Sequence, residues 1–331
     1  MMMNRRKALA LAAGTGVAAL GAPAFAETYP TRPIRLIVPL PPGGSTDGAA
    51  RLMAERLTHR LGQNIVVENR SGAGGIVGTE IVVQSEPDGY TLVFGTVSTA
   101  GINYPLFGDR MPYKAEDLVG VGLVMSAPNI VIVSAKSQFK SLRDLIAYAK
   151  AHPGELNFGT TGPGSSVQMA GALLRVATGI DVAPIPYRGG AQVLQELIAG
   201  RVDFAVDSIP SAIGLIRAGE IRALALTATP RSAVLPDVPT TEEEGLPEVV
   251  SSAWFGILAP ARTPRPIVEA LGREMDSILQ EPAVQERLAE LGAGPLPLPG
   301  GRTSPEAFDA FIKAEIAKWA EVVRKTGVKP N

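Results

Sequence analysis

The stretch LVGVGLVMSAPNIVIVSA, residues 118–135, limits the fold more than any other part of this sequence. Ordinary strands run to about 5–6 residues. This uncharged run is far too long for one of them, and Ala127-Pro128 interrupts it. It reads as a strand that leaves one domain and crosses into another. The chain has 331 residues, enough for about two domains of ordinary size. A second apolar run, VVSSAWFGILAP at 249–260, offers the return crossing.

Around the crossings, strand-like and helix-like segments alternate as they do in parallel α/β units. IRLIVPL, NIVVEN and TLVFGT read as strands, with helices starting near Asp47 and around GGIVGTEIVVQ. After the first crossing the pattern restarts. Ser141 and Asp144 form a capping pair for helix SLRDLIAYAKAH. Then come strand LNFGTT, loop GPGSS, helix VQMAGALLRVATG, strand VAPIPY, helix AQVLQELIAG, strand VDFAVDS, helix SAIGLIRAGE and strand IRALALTA. Beyond residue 260 the chain reads as helical, its last helix opened by Ser304-Pro305. The expected organisation is a leader at 1–26, a discontinuous first α/β domain at 27–128 and 253–331, and a second at 129–252. Two α/β domains joined by two crossings make a hinged, two-lobed molecule. Its ligand belongs between the lobes, at the carboxyl ends of the strands.

The N-terminus orders Arg5-Arg6-Lys7, an apolar Ala/Leu/Gly stretch and Ala24-Phe25-Ala26. That is the layout of a secretory signal peptide cut after Ala26, and the paired arginines also fit a twin-arginine route. A membrane anchor is the competing reading, disfavoured by the cleavage site and by Gly and Pro within the stretch. Cleavage removes those three basic residues and no acidic one, so 31 Lys and Arg fall by three against 32 Asp and Glu, for a net charge of −4. Nothing basic recommends nucleic acid as a partner. Cysteine is absent, which excludes disulfides and a lipoprotein-type anchor. The expected mature form is a soluble periplasmic monomer.

The chemistry-bearing motifs narrow the function by elimination. PLPPGGSTD, residues 39–47, joins a strand to a helix, but no lysine follows Gly43 or Gly44 as a Walker loop requires. Gly72, Gly74 and Gly78 are spaced GxGxxxG, one residue too long for a dinucleotide fingerprint, and read instead as a tight turn with close helix packing. No GxSxG is present, and His59 and His152 read as structural. No metal-ligand pattern occurs either, so no cofactor or metal is expected. What remains is anion capture by backbone. A helix start carries unpaired amides and the positive end of its dipole, so after a glycine turn it accepts a carboxylate without lysine or arginine. Gly43 and Gly44 permit close approach, with Ser45 and Thr46 as donors. Gly162, Pro163, Gly164, Ser165 and Ser166 repeat the device in the second domain.

Several longer motifs occur in a specific order: YPTRPIRLIVPLPPGGSTDGAARLMAERL, VVENRSGAGGIVGTE, PDGYTLVFGT, APIPYRGGAQVLQELIAGRVD, IRALALTATPRSAVLPDVPTTEEEGLP and AWFGILAPARTP. Over residues 29–331 the chain resembles the Bug-type solute-binding receptors of tripartite tricarboxylate transporters. The resemblance implies a type II periplasmic-binding fold, no catalysis, a small organic acid as ligand, and membrane transporter subunits as partners. A sensor kinase is the alternative partner, and an exported hydrolase using Asp47 or Asp207 the rival from another class. By matching motif positions, the resemblance implies that Gly43, Gly44, Ser45 and Asp47 hold a carboxylate with Gly164, Ser165 and Ser166. Thr96, Ser98 and Asp207 supply further walls. Asp47 reads equally as a helix cap, Asp207 as a partner of backbone amides, and Arg188 as a surface cation. Gln168 stands where many relatives have histidine, which implies a ligand less acidic or differently shaped than theirs.

Overall fold

The computed structural model describes residues 29–43, 45–160, 164–187 and 190–330. The expected leader and its cleavage site lie outside the described residues. The first lobe begins with β1 (Ile34–Val38), α1 (Ser45–Leu61), β2 (Ile65–Asn69), α2 (Ile76–Val83), β3 (Thr91–Thr96) and α3 (Asn103–Phe107). β4 (Leu118–Ser134) leads into the second lobe, built from α4 (Leu142–Ala151), β5 (Asn157–Thr160), α5 (Ser166–Thr178), β6 (Ala183–Pro186), α6 (Gly190–Ile198), β7 (Phe204–Ser208), α7 (Ile209–Arg217) and β8 (Ile221–Leu226). The chain returns through β9 (Ser252–Pro260) and ends with α8 (Arg265–Leu279), α9 (Pro282–Glu290) and α10 (Pro305–Thr326).

The long apolar run is one continuous 17-residue strand. It exceeds ordinary strand length because two sheets share it. Leu118 to Pro128 pairs antiparallel with β9, whereas Asn129 to Ser134 pairs antiparallel with β7 and β8. Proline donates no ladder bond, and Pro128 sits where the strand changes partners. The first sheet runs β2-β1-β3-β9-β4, and the second continues from β4 through β7 and β5 to β6, with β8 on the other side of β4. Among the described residues β6 forms an exposed edge. Ala183 and Tyr187 donate inward to Leu156 and Thr160 at 3.1 and 2.7 Å. Pro184 and Pro186 alternate with them and leave no outward donor to recruit another strand.

Each sheet is covered on both faces. In the first lobe Leu36 and Phe94 cluster with Met53 of α1 and Met275 of α8, while Ile37 and Val93 cluster with Phe308 of α10. In the second, Phe158, Phe204 and Leu145 form one layer and Ile130, Leu197 and Ile209 the other. The helix caps form as the sequence implies. Ser141 accepts from the Asp144 N–H at 3.1 Å while Asp144 accepts from the Ser141 N–H at 3.0 Å, and Ser304 accepts from Ala307. The sequence pattern gives no sign of the widened π-type turn at Ser98–Ile102 that runs into α3.

Where the crossings meet, three buried polar residues tie the strands together. Asn129 donates its backbone N–H to the Ser251 carbonyl at 3.2 Å, the Thr227 N–H donates to Asn129 and the Ser251 N–H to Thr227, both at 2.9 Å. The Asn129 carboxamide donates to the Ser251 hydroxyl at 2.9 Å. α5 belongs to both lobes by packing. Ala170 and Leu174 join Phe158 and Val131 in the second lobe, whereas Met169, Ala172 and Leu173 join Ile102, Leu106 and Trp319 of the first.

Candidate ligand site between the lobes

α1 and α5 both begin directly after a strand and a glycine turn, and both first residues, Ser45 and Ser166, line one cavity of about 390 Å³ between the lobes. Gly43 (φ 92°) and Gly164 (φ 76°) occupy the left-handed region that side chains rarely adopt. The first wall adds Thr96 and Ser98 from the end of β3 and the turn after it. The second adds Gly164, Ser165 and Ser208. The floor is made by the crossings themselves through Ala127, Ala253 and Phe255. No charged side chain lines the cavity among the described residues. An anion there meets helix starts, amides and hydroxyls. The Ser98 hydroxyl donates to the Gly164 carbonyl at 3.2 Å, a hydrogen bond from one lobe to the other.

Seven of the residues expected at the site are brought together on this cavity: Ser45, Thr46, Thr96, Ser98, Gly164, Ser165 and Ser166. Gly44 lies outside the described residues, as do Gly162, Pro163 and Arg188. Gly43, Asp47, Gln168 and Asp207 do not line the cavity, and their hydrogen bonds show what they do instead. Asp47 is buried and accepts from the Gly43 N–H at 3.1 Å, from Arg51 at 3.0 Å and from the Asn69 amide at 3.0 Å. The Arg51 guanidinium, then Asn69 and the Gly43 amide, hold its carboxyl below the usual carboxylate range against the opposing effect of burial. Gln168 accepts from the Gly164 N–H at 2.8 Å, and its own N–H is capped by the Ser165 hydroxyl at 3.2 Å.

Asp207 is the penultimate residue of β7, and its Oδ2 lies 3.5 Å from where a Cβ on Gly190, the first residue of α6, would stand. Its Oδ1 accepts from the Ser211 hydroxyl at 2.6 Å and the Ser208 N–H at 2.7 Å, and its Oδ2 has no hydrogen-bond partner among the described residues. Burial pushes this carboxyl up, partly offset by those two donors. The GxGxxxG segment makes the tight turn expected of it. A Cβ at Gly78 would lie 2.5 Å from the Arg70 carbonyl and 2.9 Å from Pro39. Its Gly74 also reaches the cavity, where the Gly74 carbonyl accepts from Asn103 at 3.4 Å.

Several lining residues escaped the sequence reading. Ser208 is the direct neighbour of Asp207, which was singled out. Asn103 and Phe107 arrive through the π-type turn, and Ala127, Ala253 and Phe255 through the crossings. Among the described residues no group of three or more His, Asp or Glu side chains is placed to hold a metal ion, and no helix is long and apolar enough to cross a membrane.

The family described as tripartite tricarboxylate transporter family receptor matches residues 49–328. BugT of Bordetella pertussis is 41% identical over 314 residues, covering 94% of each chain. Among solved structures, Rpa4515 of R. palustris with adipate superposes at a TM-score of 0.78 with 35% identity, covering 92% of this chain and all of that one. MatC from Rhodopseudomonas palustris with bound malate gives 0.75 and 34%, over 89% of this chain and all of that one. The periplasmic binding protein BugD gives 0.75 and 32%, over 92% and 100%.

Proposed function

The chain belongs to the tripartite tricarboxylate transporter receptor family, and we propose that it is a non-catalytic periplasmic receptor that closes on a dicarboxylate in the size range of malate and adipate. The observation that carries this reading is the convergence of two helix starts, at Ser45 and Ser166, on one cavity without a charged wall among its described residues. Each start supplies amides and a hydroxyl to one acidic end of the ligand, so a molecule with two acidic ends fits between them. The candidate ligand-binding set is Ser45, Thr46, Thr96, Ser98, Gly164, Ser165 and Ser166, with Asn103 and Ser208 added from the cavity wall.

The lobes, 27–128 with 253–331 and 129–252, turn about the Asn129, Thr227 and Ser251 knot, and the loaded closed form is what the membrane subunits recognise. Delivery to those subunits and export with cleavage after Ala26 belong to the same proposal. N-terminal sequencing of the periplasmic form should then begin at Glu27.

The direct test is calorimetry and thermal unfolding of the mature chain with malate, adipate, a tricarboxylate, an aromatic acid and an amino acid. A ligand at about 100 times its Kd adds roughly 2.7 kcal/mol to stability. The proposal expects this from a dicarboxylate, and expects Ser166→Ala to weaken it at least about tenfold, equivalent to roughly 1.4 kcal/mol. Stabilisation by none of the acids would refute acid binding. An unchanged affinity in Ser166→Ala would move the acid away from α5.

A further inference from the structure

Asp47 and Gln168 hold matching places that acid binding by itself does not explain. Each is the third residue of its helix, α1 or α5, and each accepts the backbone N–H of the glycine four residues earlier. Both glycines have positive φ. The two stretches, Gly43 to Asp47 and Gly164 to Gln168, therefore form one device built twice: a left-handed glycine, a spacer, a serine on the cavity, a second spacer, and an acceptor that reaches back.

We propose that Asp47 and Gln168 are an equivalent pair of positioning residues, one for each lobe, that lock the two glycine turns and thereby aim the following amides and hydroxyls at the ligand without touching it. The inference rests on the acid-binding reading. Tying down the glycine N–H removes a donor that would otherwise compete for the anion, and it fixes the peptide from which Ser45 or Ser166 projects. In the second lobe the lock is closed further. The Gly164 carbonyl accepts from Ser98 and Ser165 caps the Gln168 N–H, so both polar backbone groups of Gly164 are engaged.

The two locks differ in charge, and their surroundings answer the difference. A carboxylate next to an anion site repels its ligand. Asp47 is turned away from the cavity and paired with Arg51, which also reaches Asn69 at 3.1 Å; Asn69 in turn holds the carbonyl of Leu40 on the cavity wall at 3.1 Å. Gln168 needs no cation beside it, because a carboxamide accepts the bond without adding charge.

The test has two arms. By NMR hydrogen exchange on the unliganded chain, Gln168→Met, similar in length but with no acceptor, should speed exchange at Gly164 at least about tenfold, and Asp47→Ala should do so at Gly43. Gln168→Glu keeps an acceptor and should leave Gly164 protected. By calorimetry with malate and adipate, Gln168→Met and Asp47→Ala should each raise Kd at least about fivefold. Unchanged exchange at both glycines would overturn the locks. Faster exchange with unchanged Kd would overturn their role in aiming the loops. The exchange arm needs no ligand, so if neither acid bound the wild-type chain, the acid reading would fail while the locks were still decided.

Discussion

Truncating Leu173 tests whether the α5 seam closes with the lobes. Leu173 is 7% exposed and packs with Met169 and Ala172 into the first lobe's apolar cluster, although α5 follows β5 of the second. It does not line the cavity, so shortening it removes no ligand contact. Leucine to alanine deletes about three carbon groups, at about 0.8 kcal/mol per buried group, roughly 2 kcal/mol in all. If opening exposes this face, nearly all of that is lost from the closed state alone, which shifts the open-to-closed ratio about thirtyfold. A ligand that binds only the closed form loses affinity by the same factor when the unliganded chain is mostly open. The loss is still about fivefold when that chain is already closed by roughly six to one. Calorimetry of Leu173→Ala with a bound dicarboxylate should therefore give a Kd five to thirty times the wild-type value, while the heat-unfolding midpoint of the unliganded form falls less than a core truncation of about 2–5 kcal/mol would cause. An affinity within twofold of wild type, together with a full core penalty, would show that α5 stays fixed on the first lobe and that the lobes part elsewhere.

Gly256→Ala should destabilise the first lobe by about 1–3 kcal/mol in thermal unfolding: its Cβ would overlap the edge of the buried Phe308 ring and lie 2.8 Å from the Gly122 carbonyl. Glu315→Leu should cost about 2–5 kcal/mol in urea titration, because it strands the indole N–H groups of Trp254 and Trp319, which both donate to one Glu315 oxygen at 2.9 and 3.1 Å. The hydrogen bonds from Arg35, then from Arg70, lower the Glu68 carboxyl from 4.5 to about 2. A depressed folded-state value gives stability that is complete above the unfolded value and drains away as pH falls toward the folded one. The urea midpoint should therefore drop less in Glu68→Gln than in wild type between about pH 5 and about pH 3, and equal drops would remove Glu68 from the acid response.

Both crossings were legible because an uncharged apolar run of that length has few other uses in a chain of this composition. Their continuity was not, since a proline inside a strand ordinarily argues for a break, and only the exchange of partners after Pro128 makes it harmless. The glycine turns could be read as helix starts from Gly43, Ser45, Gly164 and Ser166. The matched spacing from Gly43 to Asp47 and from Gly164 to Gln168 was also present in the sequence. It carries meaning only when both acceptors are seen to reach back to the same kind of N–H. Asn103 and Phe107 had no signal, because a π-type turn breaks the helical period that would have placed them on a face. The double allegiance of α5 was hidden for a related reason: VQMAGALLRVA is apolar around most of its circumference, which predicts burial but not against what.

The most direct measurement is the crystal structure of the mature chain with whichever dicarboxylate stabilises it most. The account predicts one carboxylate within hydrogen-bond distance of the amides that start α1 and the other within reach of Ser166 and the α5 amides. Asp47 and Gln168 should still be holding Gly43 and Gly164. An acid seated elsewhere, or held in the cleft by lysine or arginine side chains with both helix starts untouched, would contradict it.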